Sequence, residues 1–229
     1  MFSIVIPLFN EAENIIPLLD EIKSNLSNIE NYEIVLIDDA SVDLTINKIK
    51  STEDKKIKII KNKKNEGQSY SIHKGIKNSN YNIIITLDGD GQNDPADINY
   101  LLKNYLSNED IYLVGGLRKN RKDTKIKIVS SRIANFIRRK ILNDGCNDTG
   151  CSLKVFDKNI FLSFPYFDGM HRFLPALFKG YNYKTKFIPV NHRKRKHGES
   201  KYGTMNRLFK GVRDILKVRK IIKSNQLDV

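Results

Sequence analysis

The chain has 229 residues, 40 of them basic and 26 acidic, for a formal charge of +14. That length suits one large domain, or one domain with an appendage, and the charge favours anionic partners: nucleotides, nucleic acid or an anionic membrane surface. No stretch approaches the roughly 18 consecutive apolar residues of a spanning helix. The start Met1-Phe2-Ser3-Ile4-Val5-Ile6-Pro7 lacks the basic segment of a signal peptide, so a cytoplasmic protein is expected, with Cys146 and Cys151 as reduced thiols.

Ser3 to Leu8 reads as a first strand. Asn10 stands where it can cap a helix with Ile15, Leu18, Leu19, Ile22 and Leu26 on one face. Tyr32 to Ile37 is a second strand, ending in Asp38-Asp39-Ala40-Ser41-Val42-Asp43, and a short helix with Ile46 and Ile49 follows. Lys56 to Ile60 is a third strand; Gly67-Gln68-Ser69 opens a helix through Ile72 and Ile76. The β-branched run Asn82 to Leu87 is a fourth strand, Pro95 starts a helix, and Ile111 to Val114 is a fifth strand followed by Gly115-Gly116-Leu117-Arg118. This alternation predicts an α/β fold: a Rossmann-like, doubly wound, mainly parallel sheet with helices on both faces.

Beyond residue 120 the rhythm changes. Lys125 to Leu142 reads as a basic helix, Ser152 to Phe156 as a strand, Met170 to Phe178 as helical and Lys184 to Val190 as a strand. His192 to Tyr202 is a polar, Gly-containing loop. A C-terminal basic amphipathic helix follows, with Met205, Leu208, Phe209, Val212, Ile215, Leu216 and Ile222 on one face, giving boundaries of 1–203 for the domain and 204–229 for the helix.

The most informative segment is Leu87-Asp88-Gly89-Asp90-Gly91-Gln92, acids delivered at the end of a buried strand, where open α/β sheets bind ligands. Asp88, Asp90 and the Gln92 amide are hard oxygen donors suited to Mg²⁺ or Mn²⁺, an ion that usually bridges carboxylates to substrate phosphates. The competing reading is an Asp/Gly-rich turn. Asp38-Asp39 ends a neighbouring parallel strand on the same edge, so Asp39 can hold a base or ribose hydroxyl, or can serve as a helix-capping turn. A response-regulator receiver also pairs acids at a strand end, but its pair follows the first strand, whereas here it follows the second.

Ser3-Ile4-Val5-Ile6-Pro7-Leu8-Phe9-Asn10-Glu11, Ile37-Asp38-Asp39-Ala40-Ser41-Val42-Asp43 and Leu87-Asp88-Gly89-Asp90-Gly91-Gln92 together resemble family 2 glycosyltransferases of the GT-A fold. Asp148-Thr149-Gly150-Cys151, His171-Arg172-Phe173-Leu174-Pro175-Ala176-Leu177 and the run from Arg195 through Gly198, Ser200, Lys201 and Tyr202 are similar to the polyprenyl-phosphate branch, the dolichol-phosphate mannosyltransferase-like enzymes. The resemblance implies a nucleotide-sugar donor (GDP-mannose or a UDP-sugar), a dolichyl or undecaprenyl phosphate acceptor, inversion at the anomeric carbon and a divalent metal. It assigns Pro7, Asn10, Glu11, Asp39, Asp88, Asp90, Arg195 and Lys201 to the nucleotide sugar, and Asp88, Asp90 and Gln92 to the metal. Arg118, Arg132 and Asn135 go to the acceptor phosphate; catalysis is expected from Asp90, Arg118, Arg132 and Arg195.

The sequence departs from the family pattern in three ways. Ser152 and Lys154 replace a common glycine and arginine, Gly89 replaces a common alanine, and the transmembrane helices of many relatives are not found in this sequence. The terminal helix is therefore expected either to lie on the inner membrane face or to pack on the domain. A lipopolysaccharide-type glycan is the alternative acceptor. Nucleic-acid binding is the reading of another class. It lacks a recognised motif, and clustered acids repel phosphates, so nucleic acid is not expected as a partner.

Overall fold

The computed structural model describes residues 1–119, 125–195, 197 and 204–227, without the side chains of 125–130, 132, 204–210 and 226–227. Strands and helices alternate from the outset: β1 (Phe2–Leu8), α1 (Ile15–Asn25), β2 (Tyr32–Asp38), α2 (Thr45–Lys50), β3 (Ile57–Lys61), α3 (Gln68–Lys77), β4 (Ile83–Thr86), α4 (Asp97–Leu106) and β5 (Ile111–Arg118). There follow α5 (Lys125–Leu142), β6 (Lys154–Asp157), α6 (Lys158–Ser163), a 3₁₀ turn (Met170–Arg172), α7 (Leu174–Gly180), β7 (Lys184–Val190) and α8 (Thr204–Leu227).

Among the described residues the sheet runs β3-β2-β1-β4-β6-β5-β7. Its pairings are parallel except those of β6, which is antiparallel to both β4 and β5. The strands are apolar on both faces because both faces are covered. Ile4, Ile6 and Leu8 of β1 pack with Ile15, Leu19 and Ile22 of α1, whereas Val5, Val35 and Ile37 face Ile72 and Ile76 of α3. Parallel strands bring the ends of β1, β2, β4 and β5 to one edge, and that edge carries the candidate site.

Several elements differ from the sequence reading. Asn10 is no helix cap: α1 begins at Ile15, and Asn10 has a left-handed backbone (φ 54°). Its amide donates to Ser41 Oγ (2.9 Å) and its side-chain oxygen accepts from Val42 N (2.9 Å), so it joins the loops after β1 and β2. β5 runs on through Gly115 and Gly116 to Arg118 because both glycines pair with β7. A Cβ on Gly116 would come within 2.8 Å of Val190 Cγ2 and 2.9 Å of Cys151 Sγ, so glycine here reflects close strand packing. The expected helix at 170–178 is divided into a 3₁₀ turn and α7, and α6 is an addition.

The apolar face expected of α8 also divides. Ile215 and Val218 are buried, with Ile221 and Ile222 packed on the same core, while Val212 and Leu216 are exposed. Met205, Leu208 and Phe209 have side chains outside the described set. Arg172 pairs with Asp214 (2.8 Å), and a Cβ on Gly180 would lie 2.6 Å from Ile222 Cγ1, so α8 is fastened to the 3₁₀ turn and pressed onto α7.

Candidate active site

The loops after β1 and β2 hold each other through short polar contacts. Glu11 N donates to Thr45 Oγ1 (2.9 Å) and Ala12 N to Asp43 Oδ2 (3.2 Å), while within the second loop Ser41 N donates to Asp38 Oδ1 (3.1 Å). Asp39 is buried at the N-terminal end of α3, where its carboxylate accepts from Glu66 N (2.8 Å), Gly67 N (2.9 Å) and Asn62 Nδ2 (2.7 Å). The carboxylate thus satisfies amides that a helix start leaves unpaired, which accounts for an acid at this position.

β4 delivers Asp88 and Asp90 to the same edge. Gly89 between them is closely packed: a Cβ there would come within 2.4 Å of Leu8 Cδ2. Asp90 Oδ1 accepts from Gln92 N (3.0 Å), and Asp88 Oδ1 accepts from Gln68 Nε2 (2.8 Å). Burial, and then the charge of Asp90, push the Asp88 carboxyl up to about 6; the Ser152 hydroxyl, Lys154 and Arg118 pull the other way. A buried carboxyl whose proton affinity is raised by burial and by a neighbouring carboxylate is short of positive charge. Arg195 supplies some of it, with NH2 2.8 Å from Glu11 Oε1 and 3.5 Å from Asp90 Oδ2.

Among the described residues no group of three or more His, Cys, Asp or Glu is arranged to hold a metal. Two hard carboxylates with unmet negative charge nevertheless fit Mg²⁺ or Mn²⁺, since such ions take one or two protein carboxylates and complete their shell with phosphate and water. Gln92, the third expected ligand, has its amide nitrogen on the Arg193 carbonyl (3.4 Å). Arg193 binds the turn in return: its N donates to Gln92 O (2.8 Å), and its guanidinium reaches Asp94 (2.6 Å) and also Glu21. An antiparallel bridge between Asn93 and His192 completes this clasp.

Across the edge lies a basic cluster. Arg118, the last residue of β5, makes a two-pronged pair with Asp148, Nε to Oδ2 at 2.7 Å and NH2 to Oδ1 at 2.8 Å, both side chains nearly buried. Arg138 of α5 is buried and pairs with Asp144 (2.6 Å); it donates to Thr149 Oγ1 (2.6 Å) and also to Asn135 Oδ1 and the Cys146 carbonyl. Asn135 thus lies inside the network that shapes residues 143–150. Arg132 is on α5 with its side chain outside the described set, and Lys201 lies outside the described residues altogether.

Beneath both clusters Lys154 is buried, its ammonium on the Cys151 carbonyl, and burial draws its pKa down. Cys146 and Cys151 are free, buried thiols whose pKa values burial lifts to about 11. His171 Nδ1 meets Ser69 Oγ (2.5 Å), a structural contact between the 3₁₀ turn and α3.

The family model described as "Glycosyl transferase family 2" matches residues 3–163, which include both strand-end acid pairs and the Arg118–Asp148 pair. The chain belongs to glycosyl transferase family 2. Dodecaprenyl-phosphate galacturonate synthase of Rhizobium johnstonii is 34% identical over 223 residues, covering 94% of this chain and 65% of that protein. Undecaprenyl-phosphate 4-deoxy-4-formamido-L-arabinose transferase of Aeromonas hydrophila is 31% identical over 210 residues, covering 90% and 64%. The chain therefore spans just under two thirds of the length of these curated relatives. Among solved structures, glucosyl-3-phosphoglycerate synthase of Mycobacterium tuberculosis, crystallised with Mn²⁺, UDP and glucosyl-3-phosphoglycerate, superposes with a TM-score of 0.71 at 14% identity, over 95% of this chain and 78% of that one. The same enzyme with Mg²⁺ and UDP gives 0.71 at 16%, over 95% and 77%. These likenesses establish the GT-A fold.

In this family 2 glycosyl transferase the structure brings Pro7, Asn10, Glu11, Asp39, Asp88, Asp90, Gln92 and Arg195 to one edge, with Arg118 and Asn135 across from them. Sequence reasoning gave no role to Asp148, Arg138, Asp144 or Lys154. The first was visible only as part of a motif. The others are charged residues whose burial no local pattern announces. Among the described residues no helix is long and apolar enough to cross a membrane.

Proposed function

We propose that this chain transfers a glycosyl group from a nucleoside-diphosphate sugar to a polyprenyl phosphate at an anionic membrane surface. The observation that carries this reading is the division of charge at the sheet edge. Two carboxylates, Asp88 and Asp90, the first buried with its proton held up by burial and by the charge of the second, stand on one side, and a carboxylate-braced arginine, Arg118, stands on the other. The first arrangement suits a cation and a diphosphate; the second suits a phosphate without a metal. The sugar–lipid-phosphate chemistry in the names of the relatives supports the pairing.

A phosphate monoester is already anionic near neutral pH, its second pKa being about 6, so its oxygen attacks the anomeric carbon without a protein base. The new C1–O bond forms as the bond from C1 to the diphosphate breaks, and the electron pair leaves with the nucleoside diphosphate, inverting C1. A divalent ion held by Asp88 and Asp90 supplies electrostatic stabilisation of the leaving diphosphate when bound. Asp39 fixes the start of α3 beside the nucleoside, with Pro7, Asn10 and Glu11 forming the adjoining wall. Arg195 turns from Glu11 and Asp90 to the diphosphate, joined by Lys201, and the closed loop excludes water. Arg118, with Arg132 and Asn135, orients the acceptor phosphate.

The test is a panel of UDP- and GDP-sugars incubated with Mn²⁺ and undecaprenyl phosphate, with products read by mass. The expected product is one glycosyl phosphopolyprenol from a single donor, made only with the divalent ion present. Transfer to soluble glycans with no lipid product from any donor would overturn the acceptor assignment.

A further inference from the structure

Among its described side chains, the middle of α5 is amphipathic in the reverse sense. Ser131, Asn135 and Arg138 face inward, hydrogen-bonded to one another and to residues 144–149, and only at the helix end do Ile141 and Leu142 pack on the core. Its outward side chains include Ile133, Phe136 and Ile137, which are 54%, 54% and 39% exposed. They stand at i, i+3 and i+4 and so form one stripe. A helix covering an aqueous domain normally turns its apolar stripe to the core and its charges to water. Next to it, α8 exposes Val212 and Leu216 together with Arg213, Lys217 and Lys220.

We propose that the outward face of α5 docks into the headgroup region of an anionic bilayer, with Ile133, Phe136 and Ile137 as the inserted side chains. Charge selects this occupant. α5 has no acid in its sequence, and although Arg138 is buried against Asp144, Lys140 is exposed beside the apolar stripe and the exposed Arg213, Lys217 and Lys220 of α8 adjoin it, which suits anionic lipid. A second copy would set +14 against +14. Lys140 Nζ lies 5.9 Å from the Phe136 ring centroid, so a buried aromatic body would leave its cation at headgroup level. The buried Ile215 and Val218 of α8 are committed to the core, which makes α5 the docking element and α8 its basic flank.

The inference rests on the proposed lipid-phosphate acceptor and extends it. The inward face of α5 holds the network next to Arg118, and its outward face meets the bilayer. One helix diameter, about 10 Å, then separates lipid from acceptor site. A polyprenyl phosphate can therefore present its headgroup to Arg118 while its chain stays in the membrane.

The chain contains no tryptophan, so Phe136→Trp introduces a single indole that can be excited selectively over the tyrosines. With phosphatidylglycerol–phosphatidylcholine vesicles its emission should shift to the blue and be quenched by brominated acyl chains. Tyr100→Trp, on α4, should show neither change. The triple variant Ile133→Ser, Phe136→Ser, Ile137→Ser should bind these vesicles at least about tenfold more weakly at unchanged thermal stability, and should still transfer to a short, water-soluble isoprenyl phosphate. Wild-type protein that ignores the vesicles, bound Phe136→Trp protein that escapes quenching, or wild-type binding by the triple variant would overturn the proposal. So would a blue shift without lipid that accompanies a dimer mass in light scattering. Loss of transfer to every acceptor in the wild type would instead overturn the proposed function and leave the quenching result standing.

Discussion

The two sides of the sheet edge hold their charges by different means. On the β1–β2–β4 side the acids rest on backbone amides: Asp39 on Glu66 and Gly67, Asp38 on Ser41, Asp90 on Gln92. On the β5–α5 side charges rest on other charges: Arg118 on Asp148, Arg138 on Asp144. Backbone amides are present whatever the sequence, so an acid that holds its amide through one oxygen, as Asp90 holds Gln92 N, can be exchanged for its amide with that acceptor preserved, whereas Asp39, which uses both oxygens, keeps one of the two. A buried ion pair has no such spare partner, and halving it leaves a desolvated charge. The first side should therefore show mutations that remove function and spare the fold, and the second side the opposite.

The largest expected effect is on turnover. Asp90→Asn keeps an oxygen for Gln92 N but loses the charge facing the cation, and should lower turnover by about a thousandfold while melting near the wild-type temperature. An active variant, or full activity in excess EDTA, removes the cation from the proposal. Next is Asp144→Ala. Leaving Arg138 buried without its carboxylate should cost about 3–5 kcal/mol in urea denaturation. A cost under about 1 kcal/mol would erase the contrast between the two sides.

Asp39→Asn should cost less, about 1–2 kcal/mol, since one side-chain oxygen still accepts while the charge on the α3 amides is lost. Nucleotide affinity measured calorimetrically on the same variant separates bracing α3 from touching the nucleoside.

The smallest effect concerns pH. Asp88 releases its proton near 6 in the folded chain and near its ordinary value of 3.8 when unfolded. The folded state thus binds more protons between about pH 4 and pH 6, and stability falls as pH rises through that window. Thermal melts of the ligand-free protein should show this slope, Asp88→Asn should flatten it, and Mn²⁺ should do the same by compensating the carboxylate. A slope that persists in Asp88→Asn would place the titrating group elsewhere.

The same contrast explains what could be read from the sequence. β-branched runs ended by acids are local signals, and they located β1, β2 and β4 and hence Asp39, Asp88 and Asp90. The sequence-read bounds of α5 and β7 agree with the structure because their periodicities run for 18 and seven residues. α6 has six residues, too few for a period to register, and its one local clue is Asp157, which accepts from Ile160 N. The sequence reading stopped β5 at Val114, before Gly115-Gly116, because strand pairing, which is not local, decides the conformation of that pair. Arg118 and Asp148 are 30 positions apart, and nothing near either residue announces the other.

Among the described residues the outermost strands, β3 and β7, have a sheet partner on one side only. β3 bears exposed Lys58 and Lys61, and β7 bears exposed Lys184 and an exposed Pro189 that lacks an amide hydrogen. Charge and proline at such margins oppose the addition of a further strand. Crowded onto a two-dimensional surface at high local density, neighbouring molecules would therefore meet repulsive sheet margins, and aggregation by edge-to-edge strand pairing would be suppressed where the protein is most concentrated.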